Sequence, residues 1–126
     1  MPGKILLVDD NDLNRMLLTD VLTQHGYTVL TAADGAEGVR MARAEKPDLI
    51  LMDIQMPGMN GLDAGKMLRA DPGTRGIKLL ALSAFNLLDD DTNFFATGFD
   101  GYIAKPVDIR QLPETVEKYL TDEETT

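Results

Sequence analysis

The chain of 126 residues contains no cysteine at all. A disulfide framework, a thiolate metal site and a cysteine nucleophile are excluded together, and a reducing compartment fits. Histidine is nearly absent too: the single His25 stands just before Gly26. It reads as a surface residue near a helix C-terminus, where the dipole favours it. No stretch reaches the ~20 apolar residues that a membrane span needs, and Met1-Pro2-Gly3-Lys4 lacks an apolar signal core. A cytoplasmic protein without membrane contact is therefore expected. Positive charge is scarce, with 12 Lys and Arg against 21 Asp and Glu and a net charge of -9. Such a chain repels a phosphate backbone, so direct nucleic-acid binding is not expected.

The length suits one domain, and a hydrophobic share of 44% with a charged share of 26% is that of a folding globular chain. Five short apolar runs recur: Lys4 to Val8, Thr28 to Thr31, Leu49 to Met52, Ile77 to Leu82 and Tyr102 to Ala104. Three are almost continuously apolar, as strands covered on both faces are. Segments of helical period lie between and after them. Leu13, Met16, Leu17 and Val21 line one face of the first, which Gly26 can end in a left-handed conformation. Ala36, Val39 and Ala42 mark the second, and Leu62, Met67 and Leu68 the third. Leu87, Leu88, Phe94 and Phe95 mark the fourth, and Ile109, Leu112, Val116 and Leu120 the fifth. Pro113 predicts an irregular turn from Asp108 and regular helix only from Pro113 onward. The (βα)5 alternation predicts an α/β fold in three layers, a parallel five-stranded sheet with helices on both faces.

In such a sheet all carboxyl ends lie on one edge, and ligands bind outside it. Asp9 and Asp10 follow the first strand, Asp53 the third, Ser83 the fourth, and Lys105-Pro106 the fifth. One acid at a strand end is often just a helix cap. Three carboxylates roughly 5 Å apart repel by about 3 kcal/mol per pair at an effective dielectric near 20, so cations must compensate. Lys105 supplies one charge. Oxygen-only ligands select a hard divalent ion, Mg²⁺ or Mn²⁺, with a backbone carbonyl near Gln55 as a further ligand. Asp53 leads into Ile54-Gln55-Met56-Pro57-Gly58-Met59-Asn60-Gly61, whose proline and glycines fix a turn. A carboxylate there can attack phosphorus in line and form an aspartyl phosphate.

These residues resemble the receiver domains of two-component response regulators. The resemblance rests on Val8-Asp9-Asp10-Asn11, Leu51-Met52-Asp53-Ile54-Gln55-Met56-Pro57, Leu82-Ser83-Ala84 and Ala104-Lys105-Pro106, and runs from Lys4 to about Leu120. It implies a flavodoxin-like sheet of order 2-1-3-4-5, a receiver domain over residues 1–121 and a frayed acidic tail over 122–126. Asp53 is implied as phosphoacceptor, with Asp10, Asp53 and the Gln55 carbonyl on Mg²⁺ and Asp9 assisting. Ser83 and Lys105 would bind the phosphoryl oxygens, Ser83 and Tyr102 would form the switch, and Lys105-Pro106 would be a cis peptide. The partners implied are a histidine kinase or phosphotransfer protein and a downstream protein target read by the fourth helix, fifth strand and fifth helix. A monomer or weak dimer is expected, acting as a switch and not as an enzyme.

The stand-alone cell-division type is preferred to the chemotaxis type, and no output domain is expected after Leu120. A receiver cut from a larger kinase or regulator is the alternative. Two rivals fit less well. A flavodoxin-type carrier must cradle phosphate where Asp9 and Asp10 would repel it. A haloacid-dehalogenase-type phosphatase needs a carboxylate two residues after the nucleophile, where Gln55 stands. The sequence departs from the family in Ser83, where threonine is commoner, and in Leu88 and Phe94 on the fourth helix.

Overall fold

Five parallel strands lie in the order β2-β1-β3-β4-β5 in the computed structural model, which describes residues 3–54, 61–83, 98–105 and 107–120. The strands are β1 (Lys4–Val8), β2 (Thr28–Ala32), β3 (Leu49–Asp53), β4 (Lys78–Ser83) and β5 (Gly101–Ala104). Four helices are described, α1 (Asp12–Gln24), α2 (Gly35–Glu45), α3 (Gly61–Ala70) and α4 (Leu112–Leu120). The last is the fifth helix of the sequence expectation. The fourth, expected around Leu87 to Phe95, lies outside the described residues. So do Gln55, Pro106 with its expected cis peptide, and the tail from residue 121.

Both sheet faces are covered, which explains the unbroken apolar strands. Alternate residues of β1 serve opposite cores: Leu6 and Val8 pack with Ile50, Met52, Ala81, Val39, Ala42, Ala64 and Leu68. Ile5 and Leu7 pack with Leu49, Leu51, Leu80, Leu82, Leu18, Leu22, Leu112 and Val116. Helices α2 and α3 thus cover one face, and α1 and α4 the other. Each fully buried aliphatic side chain contributes about 1.5–3 kcal/mol, so the two cores dominate the stability.

The inward side of α1 differs from the expectation. Leu18 and Leu22 are its buried residues. Leu13, Met16 and Leu17 are instead 74%, 62% and 46% exposed, a stripe at helical spacing turned to solvent. On the next two helices Val39, Ala42 and Leu68 are buried as expected, and Ala36 and Met67 are not. On α2 the buried positions are Gly35, Gly38, Val39 and Ala42, with Ala36 exposed. On α3 Ala64 and Leu68 are buried and Met67 is 38% exposed. Gly38 is needed for contact, because a Cβ there would lie 2.8 Å from the Val8 side chain.

Local chemistry sets the helix ends. Asn11 caps α1 by accepting from Asn14 N at 2.9 Å. Asp34 and Glu37 form a reciprocal capping box on α2, Glu37 N donating to Asp34 and Ala33 N to Glu37, each at 2.8 Å. Gly26 follows α1 with φ 93, the left-handed geometry expected of it. A turn over Asp108 to Gln111 precedes α4, and Pro113 sits in its first turn, as the missing N–H requires.

Arg69 ties the lower ends of the sheet together. Its guanidinium donates to the carbonyls of Gly98, Arg75 and Ile77 at 2.6, 2.6 and 2.7 Å, and to Asp100 at 2.8 Å. Asp100 also accepts from Leu79 N at 2.8 Å, so the chain entering β5 is locked to the start of β4.

Candidate metal and phosphoryl site

The register of the central strands builds the site. Val8 lies beside Met52, so the residues that follow, Asp9 and Asp53, emerge side by side at the carboxyl edge. Asp10 turns away into the loop before α1 and is exposed, whereas Asp9 and Asp53 are 0% and 2% exposed. One oxygen from each of the three carboxylates lies within 4.8 Å of the others.

Lys105 reaches this cluster from the end of β5, crossing over β4. Its backbone N–H donates to Ser83 O at 2.8 Å, which anchors the residue beside β4. Its ammonium lies 2.8 Å from Asp53 Oδ2 and 3.8 Å from Asp9 Oδ2. Among the described residues, this is the one ammonium in contact with the cluster of three carboxylates, which leaves the crevice short of positive charge.

Asp9 shows the strain of that arrangement. Burial, foremost, pushes its carboxyl above the ordinary value, and the Asp53 charge adds to this. The Asn11 N–H at 2.9 Å, the Lys105 ammonium and the Asn14 amide at 3.4 Å act in the opposite direction. A buried carboxylate of raised proton affinity is one that a bound cation would relieve.

The donor set fits a hard divalent ion. It is all oxygen, it carries an excess of negative charge, and its atoms already lie at ligand-sharing separations. The remaining expected ligand, the Gln55 carbonyl, lies outside the described residues. Gly61 brings α3 up against the same edge: a Cβ there would fall 2.5 Å from the Asp53 carbonyl oxygen and 2.6 Å from Ile54 Cα.

Ser83 and Tyr102 lie on the opposite face of the sheet from Ile103. Tyr102 pairs with Ala81 and packs on the α2–α3 core, and Ser83 is two residues further along β4, so strand alternation puts both on one face. Ser83 is fully buried and Tyr102 half-buried. On the α1 face, a cleft of about 390 Å³ opens beside the carboxylates, lined by Asp9, Asn14, Leu17, Leu82, Lys105 and Val107.

The structure thus brings Asp9, Asp10, Asp53 and Lys105 into one crevice, with Ser83 next to it and Tyr102 two strand positions behind Ser83. Asn14 and Arg15, which also touch Asp9, were not expected. The signal for them was present in the pairs Asn11/Asn14 and Asp12/Arg15, each three apart on the first turn of α1.

A doubly wound parallel sheet carrying an acidic crevice and a lysine at its carboxyl edge defines a phosphate-signalling class of protein, the receivers of two-component systems. The chain belongs to the response regulator receiver domain family, which matches residues 5–117. It is 38% identical over 122 residues to the polar-differentiation response regulator DivK of Brucella anthropi, a match spanning 97% of this chain and 99% of that protein. Among solved structures it is similar to the Vibrio cholerae chemotaxis protein CheY4, with TM-score 0.88, 29% identity and coverage of 94% and 99%. It is also similar to the receiver domain of a Pseudomonas aeruginosa sensor histidine kinase, with TM-score 0.86, 33% identity and coverage of 95% and 98%. In that structure a magnesium ion is coordinated in the active-site cleft. The chain is therefore a receiver of the DivK and CheY type, a switch of phosphorelay signalling. No described helix is long and apolar enough to cross a membrane.

Proposed function

We propose that Asp53 is the phosphoacceptor of this switch and that Mg²⁺ is held by Asp10, Asp53 and the Gln55 carbonyl, with Asp9 assisting. The observation that carries the proposal is the Lys105 ammonium 2.8 Å from Asp53 Oδ2, inside a cluster of three carboxylates. When bound, the ion supplies neutralisation of the negative charge on the transferred group.

The chemistry of the chain's own residues follows. An Asp53 oxygen attacks the phosphorus of a phosphohistidine; the O–P bond forms as the P–N bond breaks, and the electron pair stays on the imidazole nitrogen. Lys105, already in contact with that carboxylate, shifts to a phosphoryl oxygen and needs no long reorganisation. Ser83 donates its hydroxyl to another oxygen. Tyr102, on the same sheet face as Ser83, moves into the space released, and the surface around β5 and α4 changes its preferred arrangement. Leu17 lines the cleft beside the carboxylates, and the exposed Leu13 and Met16 continue its stripe on α1, which supports a helical protein, a histidine kinase or phosphotransfer domain, as phosphodonor. A downstream protein would read the other end of the switch. The 38% identity to DivK supports a regulator of the cell-division type.

The test is phosphorylation with a small-molecule phosphodonor and Mg²⁺. Asp53→Asn should abolish labelling with the fold retained. Labelling of that variant at the wild-type level would move the acceptor elsewhere.

A further inference from the structure

The turn between β1 and α1 is gripped by a residue that takes no part in the chemistry above. Arg15 Nη1 donates to the backbone carbonyl of Asp9 at 2.6 Å, and its Nη2 pairs with the Asp12 carboxylate. The carbonyl it holds belongs to the peptide joining Asp9 to Asp10. That unit is planar, so a guanidinium fixed to its oxygen also fixes the direction in which Asp10 leaves the strand.

The two acids depend on this grip to different degrees. The Asp9 carboxylate is oriented by its own contacts with Asn11, Asn14 and Lys105. The Asp10 carboxylate has no hydrogen bond or ion pair among the described residues, and it is exposed. Its orientation therefore rests on the backbone alone. Magnesium demands near-ideal octahedral geometry, so a ligand with a loose backbone would weaken it more than it would weaken calcium.

Resting on the reading of the crevice as a Mg²⁺ site, we propose that Arg15 is a positioning residue: it holds the Asp9–Asp10 peptide so that Asp10 meets the ion in a fixed direction. Arginine suits the task because its planar fork reaches a carbonyl and a carboxylate at once, which a lysine ammonium cannot do from one position. The role is separable from charge, and the two predict opposite signs. Arg15 is a fixed positive charge next to a cation site, so Coulomb repulsion alone predicts that removing it tightens Mg²⁺ binding. Loss of positioning predicts weakening, of the order of 10-fold as for outer-shell partners of metal ligands.

The experiment is calorimetric titration of the full chain with MgCl₂ and with CaCl₂, alongside metal-free thermal melts. Arg15→Met should bind Mg²⁺ about 10-fold more weakly and lose less affinity for Ca²⁺. Mg²⁺ affinity equal to or tighter than wild type, or a parallel loss for both ions, would overturn the proposal. Should Arg15→Met fail to fold in its melt, Arg15→Lys decides by the same two criteria. Asp10→Asn separates this inference from the one beneath it. If wild type and Asp10→Asn bind Mg²⁺ alike, the cation site itself is misassigned; if Asp10→Asn loses binding while Arg15→Met does not, only the positioning role falls.

Discussion

Lys105 and Asp53 stand 52 positions apart in the chain and 2.8 Å apart in space, joined across the intervening strand β4. The ammonium is placed before any phosphoryl group arrives, so its contribution to transfer is electrostatic and preorganised. Replacing it with Met should slow phosphorylation by a small-molecule donor by about 10²-fold, the usual cost of removing one charge-stabilising donor. Stopped-flow or gel-based labelling of Lys105→Met measures this, and an unchanged rate would show that the contact is structural only.

Metal binding should also be visible as stability. An ion that binds only the folded crevice adds about 1.4 kcal/mol at a free concentration 10 times its Kd, which raises Tm by roughly 3–7 °C for a domain of this size. Asp53→Asn should remove most of that gain. A melting midpoint indifferent to millimolar Mg²⁺ would count against the site.

Two carboxyl groups should give opposite pH dependences. Asp9 is raised by burial, so the unfolded chain loses its proton first as pH rises above about 4. In that window the folded state holds the extra proton, and stability falls with rising pH until Asp9 is fully ionised. Asp71 is lowered, first by the Gly73 N–H and then by Arg43 at 2.8 Å. Its contribution is present above the ordinary carboxylate value and is lost as pH falls through the lowered one. Metal-free urea melts should show Asp9→Asn gaining stability relative to wild type from pH 4 to 7. Asp71→Asn should fall furthest behind wild type at neutral pH and close the gap in acid.

The guanidinium of Arg69 satisfies three backbone carbonyls and Asp100. Arg69→Ala strands those acceptors and should destabilise the fold by about 2–3 kcal/mol, more than a surface charge usually matters. A urea titration gives the value directly, and a loss below half a kcal/mol would mean that water replaces the donor freely.

The stripe on α1 should separate stability from recognition. Leu17→Ser removes an exposed side chain, so the melting midpoint should barely move. Transfer from a phosphorylated histidine protein should slow about 10-fold if that surface seats the donor, while small-molecule labelling stays unchanged. Equal rates with both donors would place the donor elsewhere.

Much of this architecture could be read directly from residue order. The apolar runs located every strand to within a residue at each end, most plainly in β1, β3 and β4, whose burial on both sides leaves almost no polar interruption. The carboxylates and Lys105 were legible because each follows such a run, and topology alone then gathers strand ends along one edge. The packed face of α1 was not legible in the same way. Leucines at 13, 17, 18 and 22 make two overlapping stripes of helical period, and only the surface presented by Ile5, Leu7 and Leu49 decides which one is buried. Arg15 was only half legible: its pairing with Asp12 shows in the spacing, but its other partner is a main-chain oxygen, which no side-chain pattern encodes.

The placement of Lys105 beyond β4 has a consequence for the order of events in folding. Strands β1 and β3 can pair early and bring Asp9 to Asp53, but the lysine arrives only when the last strand has zipped onto β4. The proposed cation ligands Asp10 and Asp53 follow the early β1–β3 pair and do not wait for β5, so a cation acting there would speed folding as well as slow escape from the native state. Magnesium would then favour the native form from both directions.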